Sequence, residues 1–254
     1  MAFRRSDGTL AQNDEEQMEV PEAQFQKVFD NKREVKFKAL NSVLHREIMH
    51  NQDRDISFEN FGKALDRVAD SKAAGEEDIS PNAIKALNEE NCRYIFHFIE
   101  DFWEDSKDYE SWHSGLLVLV HKVAKEKSDP NNWSGINLMD VISKAMSRIM
   151  NERLFKILDK YGTKYQFGGM PGLGCREGIV TLKTLLHTRR NHNLSTHVAF
   201  IDLVKAYDTA NHIVLIKVLE KYDVPQRLCS VIKRPKSGIR NWQTQGRNTT
   251  RSWR

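Results

Sequence analysis

Long apolar runs are missing from this chain of 254 residues. No stretch approaches the roughly 18 apolar residues that read as a membrane span, so no membrane partner is expected. Cysteine is scarce: Cys92, Cys175 and Cys229 stand alone. An odd, unclustered set offers neither a disulfide framework nor the paired spacing of a zinc site, and no disulfide partner is expected. Residues Met1 to Asp7 lack the apolar segment of a secretory signal. These absences point to a reducing, intracellular setting and leave nucleus and cytoplasm open. Acid is missing from one region, because no Asp or Glu follows Asp223. Residues 224–254 carry eight Lys or Arg, and the rest of the chain holds 31 basic and 35 acidic residues. The net charge of +4 therefore combines an acidic body with a basic tail. Such a tail either meets nucleic-acid phosphates or is an unstructured end without a role.

What is present suits one large or two small domains with a real core, at 39% hydrophobic and 29% charged residues. Residues 1–20 are polar and acidic, which predicts a disordered leader. Pro21 opens a helical pattern carrying Phe25, Val28 and Phe29 on one face. A second helical pattern covers Val35 to Ile48. His45 and His50 within it lie five apart with Glu47 displaced, so the zinc-protease arrangement of two His four apart does not apply. Ser57 is placed to cap a helix whose stripe is Phe58, Phe61, Leu65 and Val68. Residues 72–81 read as a loop. The dense aromatics from Cys92 to Trp103 read as helix packing rather than a base-stacking platform. Leu116 to Val120 is a buried-strand candidate, followed by a turn over residues 128–132. Asn132 to Leu138 enters a long amphipathic helix marked by Leu138, Ile142, Ala145 and Ile149. The glycine-rich stretch from Tyr165 to Gly178 lacks the Gly-Lys-Ser/Thr ending of a Walker loop and the spacing of a dinucleotide fingerprint. It leads into a helix from Ile179 to Arg190 with a basic end.

The run from Thr196 to Asp208 carries the chemistry. Val198, Phe200 and Ile201 predict a short strand that delivers Asp202 at its end. A carboxylate on a strand end suits a divalent cation that must also meet phosphate oxygens. The plainer alternative is a buried strand flanked by turn or cap aspartates. The sequence Phe200-Ile201-Asp202-Leu203-Val204-Lys205-Ala206-Tyr207-Asp208 resembles the first catalytic motif of reverse transcriptases of retrotransposons lacking long terminal repeats. Three further stretches are similar to that family. Residues 57–87 look like the segment ahead of the fingers. Asn132 to Leu154, with Lys144 and the pair Arg153-Leu154, look like a fingers helix, although Ser134 stands where the family usually has Arg. Gln166-Phe167-Gly168 looks like the start of a template-side segment.

The resemblance implies an α+β chain: a partial right-hand polymerase fold, with helix-rich fingers and an incomplete palm after a helical N-terminal segment. The corresponding divisions are a leader at 1–20, a helical segment at 21–70, fingers at 71–195, a partial palm at 196–233 and a basic unstructured tail at 234–254. By the same resemblance Asp202 is a catalytic metal ligand for Mg2+ or Mn2+, and Tyr207 lies under the sugar of the incoming deoxynucleotide. Asp208 is read as a helix cap. Lys122 is a candidate phosphate contact, and Arg176, Arg189 and Arg190 are candidate contacts to an RNA template and DNA primer. Two-metal polymerisation needs several carboxylates converging from more than one strand. The family supplies the others from a later hairpin bearing aromatic-x-Asp-Asp, and none follows here. The expectation is a chain of the RNA-directed DNA polymerase family that is inactive alone, a truncated or frameshifted copy. The alternative is a nucleic-acid-binding or structural relic without catalysis.

Overall fold

The computed structural model describes residues 2–29, 37–70, 73–105, 107, 109, 112, 115–203, 205–207, 209–234, 241–244 and 251–252. Over these residues the chain is α+β. Its larger packed body is helical, and local signals start most of its helices. Ser57 Oγ accepts from Asn60 N at 3.1 Å and opens α2 (Phe58–Asp66), which buries Phe61, Ala64 and Leu65. Ser80 and Pro81 open α3 (Pro81–Lys85). Asn88 Oδ1 accepts from Asn91 N at 2.9 Å and opens α4 (Glu89–Trp103). Phe96, Ile99, Phe102 and Trp103 are the buried face of α4, as the aromatic spacing predicts, while Tyr94 and Phe98 remain exposed. These faces close on α5 (Val141–Tyr161), which buries Val141, Ala145, Met146, Ile149 and Ile157. The last pieces of this core are α7 (His212–Lys221), capped by Asn211, and α8 (Gln226–Lys233), which buries Leu228, Cys229 and Val231.

Residues 45–56 tie this body together. Arg153 on α5 is buried, donates to the carbonyls of Gln52, Arg54 and Asp55, and lies 4.3 Å from the centroid of the Trp103 ring. Asp53 caps α8, accepting from Arg227 N at 3.1 Å and Leu228 N at 2.8 Å. Asp223 accepts from Arg46 N at 2.8 Å.

A second, smaller core lies between α1 (Asp14–Phe29) and a hairpin. Strands β1 (Leu116–His121) and β2 (Trp133–Leu138) pair antiparallel, with Leu116 opposite Leu138 and His121 opposite Trp133. Leu117, Leu119 and Trp133 from the hairpin pack with Phe3, Met18 and Phe25. Strand β3 (Asn241–Thr244) joins the other edge of β1 in parallel, and β4 (Arg251–Ser252) pairs with β3. The remaining helix, α6 (Cys175–Asn191), has no buried residue.

Several expectations meet a different arrangement. Residues 2–20 are ordered against the hairpin rather than a free leader, because Phe3 and Met18 find apolar partners there. Pro21 sits inside α1 and is buried, not in a first turn. The predicted helix from Val35 to Ile48 is a 3-10 turn over Phe37–Ser42 followed by irregular chain, with residues 30–36 outside the description. Residues 133–138 form a strand rather than the entry to a helix, since the apolar β1 lies alongside them. α6 begins at Cys175, ahead of the expected Ile179. The tail contributes β3 and β4 instead of being wholly unstructured. Among the described residues no helix is long and apolar enough to cross a membrane, and Cys92, Cys175 and Cys229 are free thiols.

Candidate nucleic-acid and nucleotide site

The segment from the glycine-rich loop to the start of α7 carries most of the candidate residues. Gly169 (φ +74°) and Gly172 (φ +72°) adopt the left-handed conformation that side-chain-bearing residues avoid, and they turn the chain into α6. Arg176, in the first turn of α6, is almost fully exposed, with Nε 3.8 Å from Glu177. At the other end Arg189 is committed locally. Its Nε donates to Thr196 Oγ1 at 2.7 Å and its Nη2 to the Ser195 carbonyl at 2.8 Å. This folds the outgoing chain back over the helix end. Arg190 beside it is exposed. Arg176 and Arg190 are fourteen residues apart, close to four helical turns, so they share a face about 21 Å long.

The run leading to Asp202 is an open loop, which corrects the predicted strand. Residues 195–203 have no regular structure. Phe200 and Ile201 are 86% and 85% exposed, Tyr207 is 94% exposed, and Asp202 is exposed with them. Strand-type composition needs a neighbouring ladder to satisfy its backbone, and none of the described strands pairs with this run. The chain beyond it does have local order. Lys205 takes a left-handed conformation (φ +48°) and its carbonyl accepts from Thr209 N at 3.0 Å, while Ala210 N donates to the Tyr207 carbonyl at 3.2 Å. The helix cap expected at Asp208 lies outside the described residues, and Asn211 caps α7.

Lys122 sits at the loop end of the β1–β2 hairpin. Its backbone N–H donates to the Asn132 carbonyl at 2.9 Å and its Nζ to the Asn131 carbonyl at 3.3 Å. Among the described residues, no hydrogen bond, ion pair or ring contact joins Asp202, Tyr207 and Lys122 to one another. Nor does any group of three or more His, Cys, Asp or Glu among those residues form a metal-holding cluster. A lone exposed carboxylate does not fit a two-metal centre.

Two charged features outside the motif went unread in the sequence. Asp140, at the start of α5, has its carboxyl pushed up to about 6, first by burial and then by the neighbouring Glu77 and Glu76, with Lys144 opposing. Gly75 lies so close to it that an added Cβ would stand 2.4 Å from Asp140 Oδ1. An open cleft of about 690 Å³ lies between residues 4–27 and 126–131. Its arginines are held by acids, Arg4 by Glu126 and Arg5 by Glu16, so they do not form an anion site.

A family model described as reverse transcriptase (RNA-dependent DNA polymerase) matches residues 123–253. That span contains Arg176, Arg189, Arg190, Asp202 and Tyr207, and Lys122 directly precedes it. It runs past Lys233, where the recognisable motifs stop, so the similarity extends into the basic tail. Three Drosophila melanogaster proteins are similar to the chain. The probable RNA-directed DNA polymerase from transposon X-element is 25% identical over 162 residues, covering 63% of this chain and 18% of that protein. The RNA-directed DNA polymerase from mobile element jockey is 21% identical over 173 residues, 67% of this chain and 19% of its own length. The probable RNA-directed DNA polymerase from transposon BS is 22% identical over 223 residues, 84% and 24% respectively. The chain thus spans about a fifth of the length of the curated relatives it matches.

Proposed function

The chain belongs to the reverse transcriptase (RNA-dependent DNA polymerase) family, and from that premise we propose that it forms the fingers and first palm portion of a retrotransposon RNA-directed DNA polymerase. The observation that carries this reading is the motif Phe200 to Asp208, which lies inside the matched span. In this reading the substrates are an RNA template, a DNA primer and deoxynucleotides, and the metal is Mg2+ or Mn2+. Residues 71–195 serve as fingers, and residues 196–233 open the palm.

Asp202 is one carboxylate of the metal set, and its exposed position leaves it accessible to carboxylates from elsewhere. Tyr207 offers an open ring face for the deoxynucleotide sugar. Lys122, at a hairpin tip, is placed to meet phosphate. The stripe from Arg176 to Arg190 tracks a nucleic-acid backbone by charge, which is sequence-independent and salt-sensitive. Arg189 contributes charge to the same end of α6 while holding Ser195 and Thr196.

Primer extension on an RNA template, in Mg2+ and in Mn2+, tests this beside an Asp202→Asn control. The 254-residue chain alone is expected to bind an RNA–DNA hybrid, more weakly as salt rises, and not to extend it. Extension that vanishes in Asp202→Asn would mean that further carboxylates of this chain complete the metal set. Absence of hybrid binding even at low salt would overturn the nucleic-acid reading.

A further inference from the structure

The motif loop meets the N-terminal helix where Lys205 reaches Phe25. The Nζ of Lys205 lies 4.6 Å from the centroid of the Phe25 ring and is screened from solvent. Phe25 is 1% exposed. Its ring is seated by the hairpin, where Gly135 leaves it room: a Cβ at that position would stand 2.9 Å from Phe25 Cε1 and 2.7 Å from Leu117 Cδ1. A continuous line of contact therefore runs from Gly135 of β2, through Phe25 of α1, to Lys205. Asp202 and Tyr207 lie three residues before and two residues after that lysine. Their own side chains are exposed, and Lys205 gives their loop a partner far away in sequence.

A cation over an aromatic face is held by the ring quadrupole, and more strongly when desolvated. The left-handed conformation of Lys205 is costly for a side-chain-bearing residue and persists where surrounding contacts impose it. Both observations concern one residue. We infer that Lys205 is a positioning residue, and that α1, through Phe25, registers the loop bearing Asp202 and Tyr207 on the β1–β2 hairpin. Helix α1 lies outside the span matched by the family model, so this assigns a role in the site to a segment that the family match does not reach. The same contact explains why a small residue occupies position 135, since anything larger would displace the ring.

The inference takes its meaning from the proposed site, but its test does not depend on activity. Thr209 N and Ala210 N donate to the carbonyls of Lys205 and Tyr207, so their hydrogen exchange reports on the anchored turn. Lys205→Met and Phe25→Leu should each raise exchange at these two amides by roughly threefold to thirtyfold, the range of a partly desolvated cation–π contact. The double variant should go little further than either single change, because the two side chains act as one contact. Lys205→Arg, which keeps a cation over the ring, should restore wild-type exchange. Amides of α5 should be unchanged throughout. Unchanged exchange in Lys205→Met, or equal exchange in Lys205→Met and Lys205→Arg, overturns the inference. A measurement on the wild-type chain stands beside these in case a variant fails to fold. Lys205 should be acylated several-fold more slowly than the exposed Lys125, and equal reactivity also overturns the anchor. A loose turn in Lys205→Met together with a wild-type chain that binds no RNA–DNA hybrid even at low salt would leave the anchor standing and remove the nucleic-acid reading on which its meaning rests.

Discussion

Helices α5 and α6 are of similar length, 21 and 17 residues, yet α5 buries seven side chains and α6 buries none. Both sequences carry spaced apolar residues. What separates them is the presence of partners. α5 packs against α2 and α4 and, through Arg153, donates hydrogen bonds to the loop before α2. α6 leaves Ile179, Val180 and Leu185 about half exposed. The same division holds for the aromatics, with Trp103 at 1% and Phe200 at 86% exposure. The residues that resemble catalytic ones, Asp202 and Tyr207, are likewise exposed. An amphipathic or strand-like pattern states what a segment can pack against, and not whether that partner is within reach.

Mutations sharpen this contrast, beginning with the packed side. Trp103→Ala should cost about 3–5 kcal/mol, because a fully buried indole leaves a cavity and strips the ring from Arg153. Urea denaturation measures it. Arg153→Met should cost about 2–4 kcal/mol, since it leaves the carbonyls of Gln52, Arg54 and Asp55 without their charged donor.

A subtler effect belongs to Asp140. Its carboxyl is raised to about 6 in the fold against an ordinary value of 3.8. The folded chain therefore binds this proton more tightly than the unfolded chain does. Its contribution to stability falls as pH rises from about 4 to about 6, and is flat above. Asp140→Asn should remove that slope, and the difference between wild-type and variant melting temperatures across pH 4–7 tests it. At the open end of the scale, Leu185→Ala should change stability by less than about 0.5 kcal/mol. A larger loss there would mean that α6 is packed in solution.

Legibility in the sequence follows the same line. Ser57 as a cap, the stripe of Phe61 and Leu65, and the strand from Leu116 were readable, because each depends on neighbours a few residues away. The motif around Asp202 was readable as composition, but its conformation was not. Val198, Phe200 and Ile201 have strand preferences that only a paired ladder would realise. Distant contacts left no local trace. Asp53 caps α8 across 175 residues in sequence, and Lys205 meets Phe25 from a comparable distance. Pro21, read as a first-turn residue, sits within α1 because residues 14–20 extend the helix toward the hairpin core. The acidic pair Glu76 and Glu77 looked like loop solvation, and its effect on Asp140 required the close approach at Gly75.

The measurement that most directly tests the division between packed frame and open motif is hydrogen exchange over the whole chain, read at α5 and at residues 196–203. Amides of α5 should exchange only through global unfolding, and those of residues 196–203 at close to unprotected rates. Protection of residues 196–203 comparable to that of α5 would contradict this. It would mean that the run leading to Asp202 forms a paired strand in solution, as its composition predicts, and that the first-motif carboxylate stands on a rigid mount.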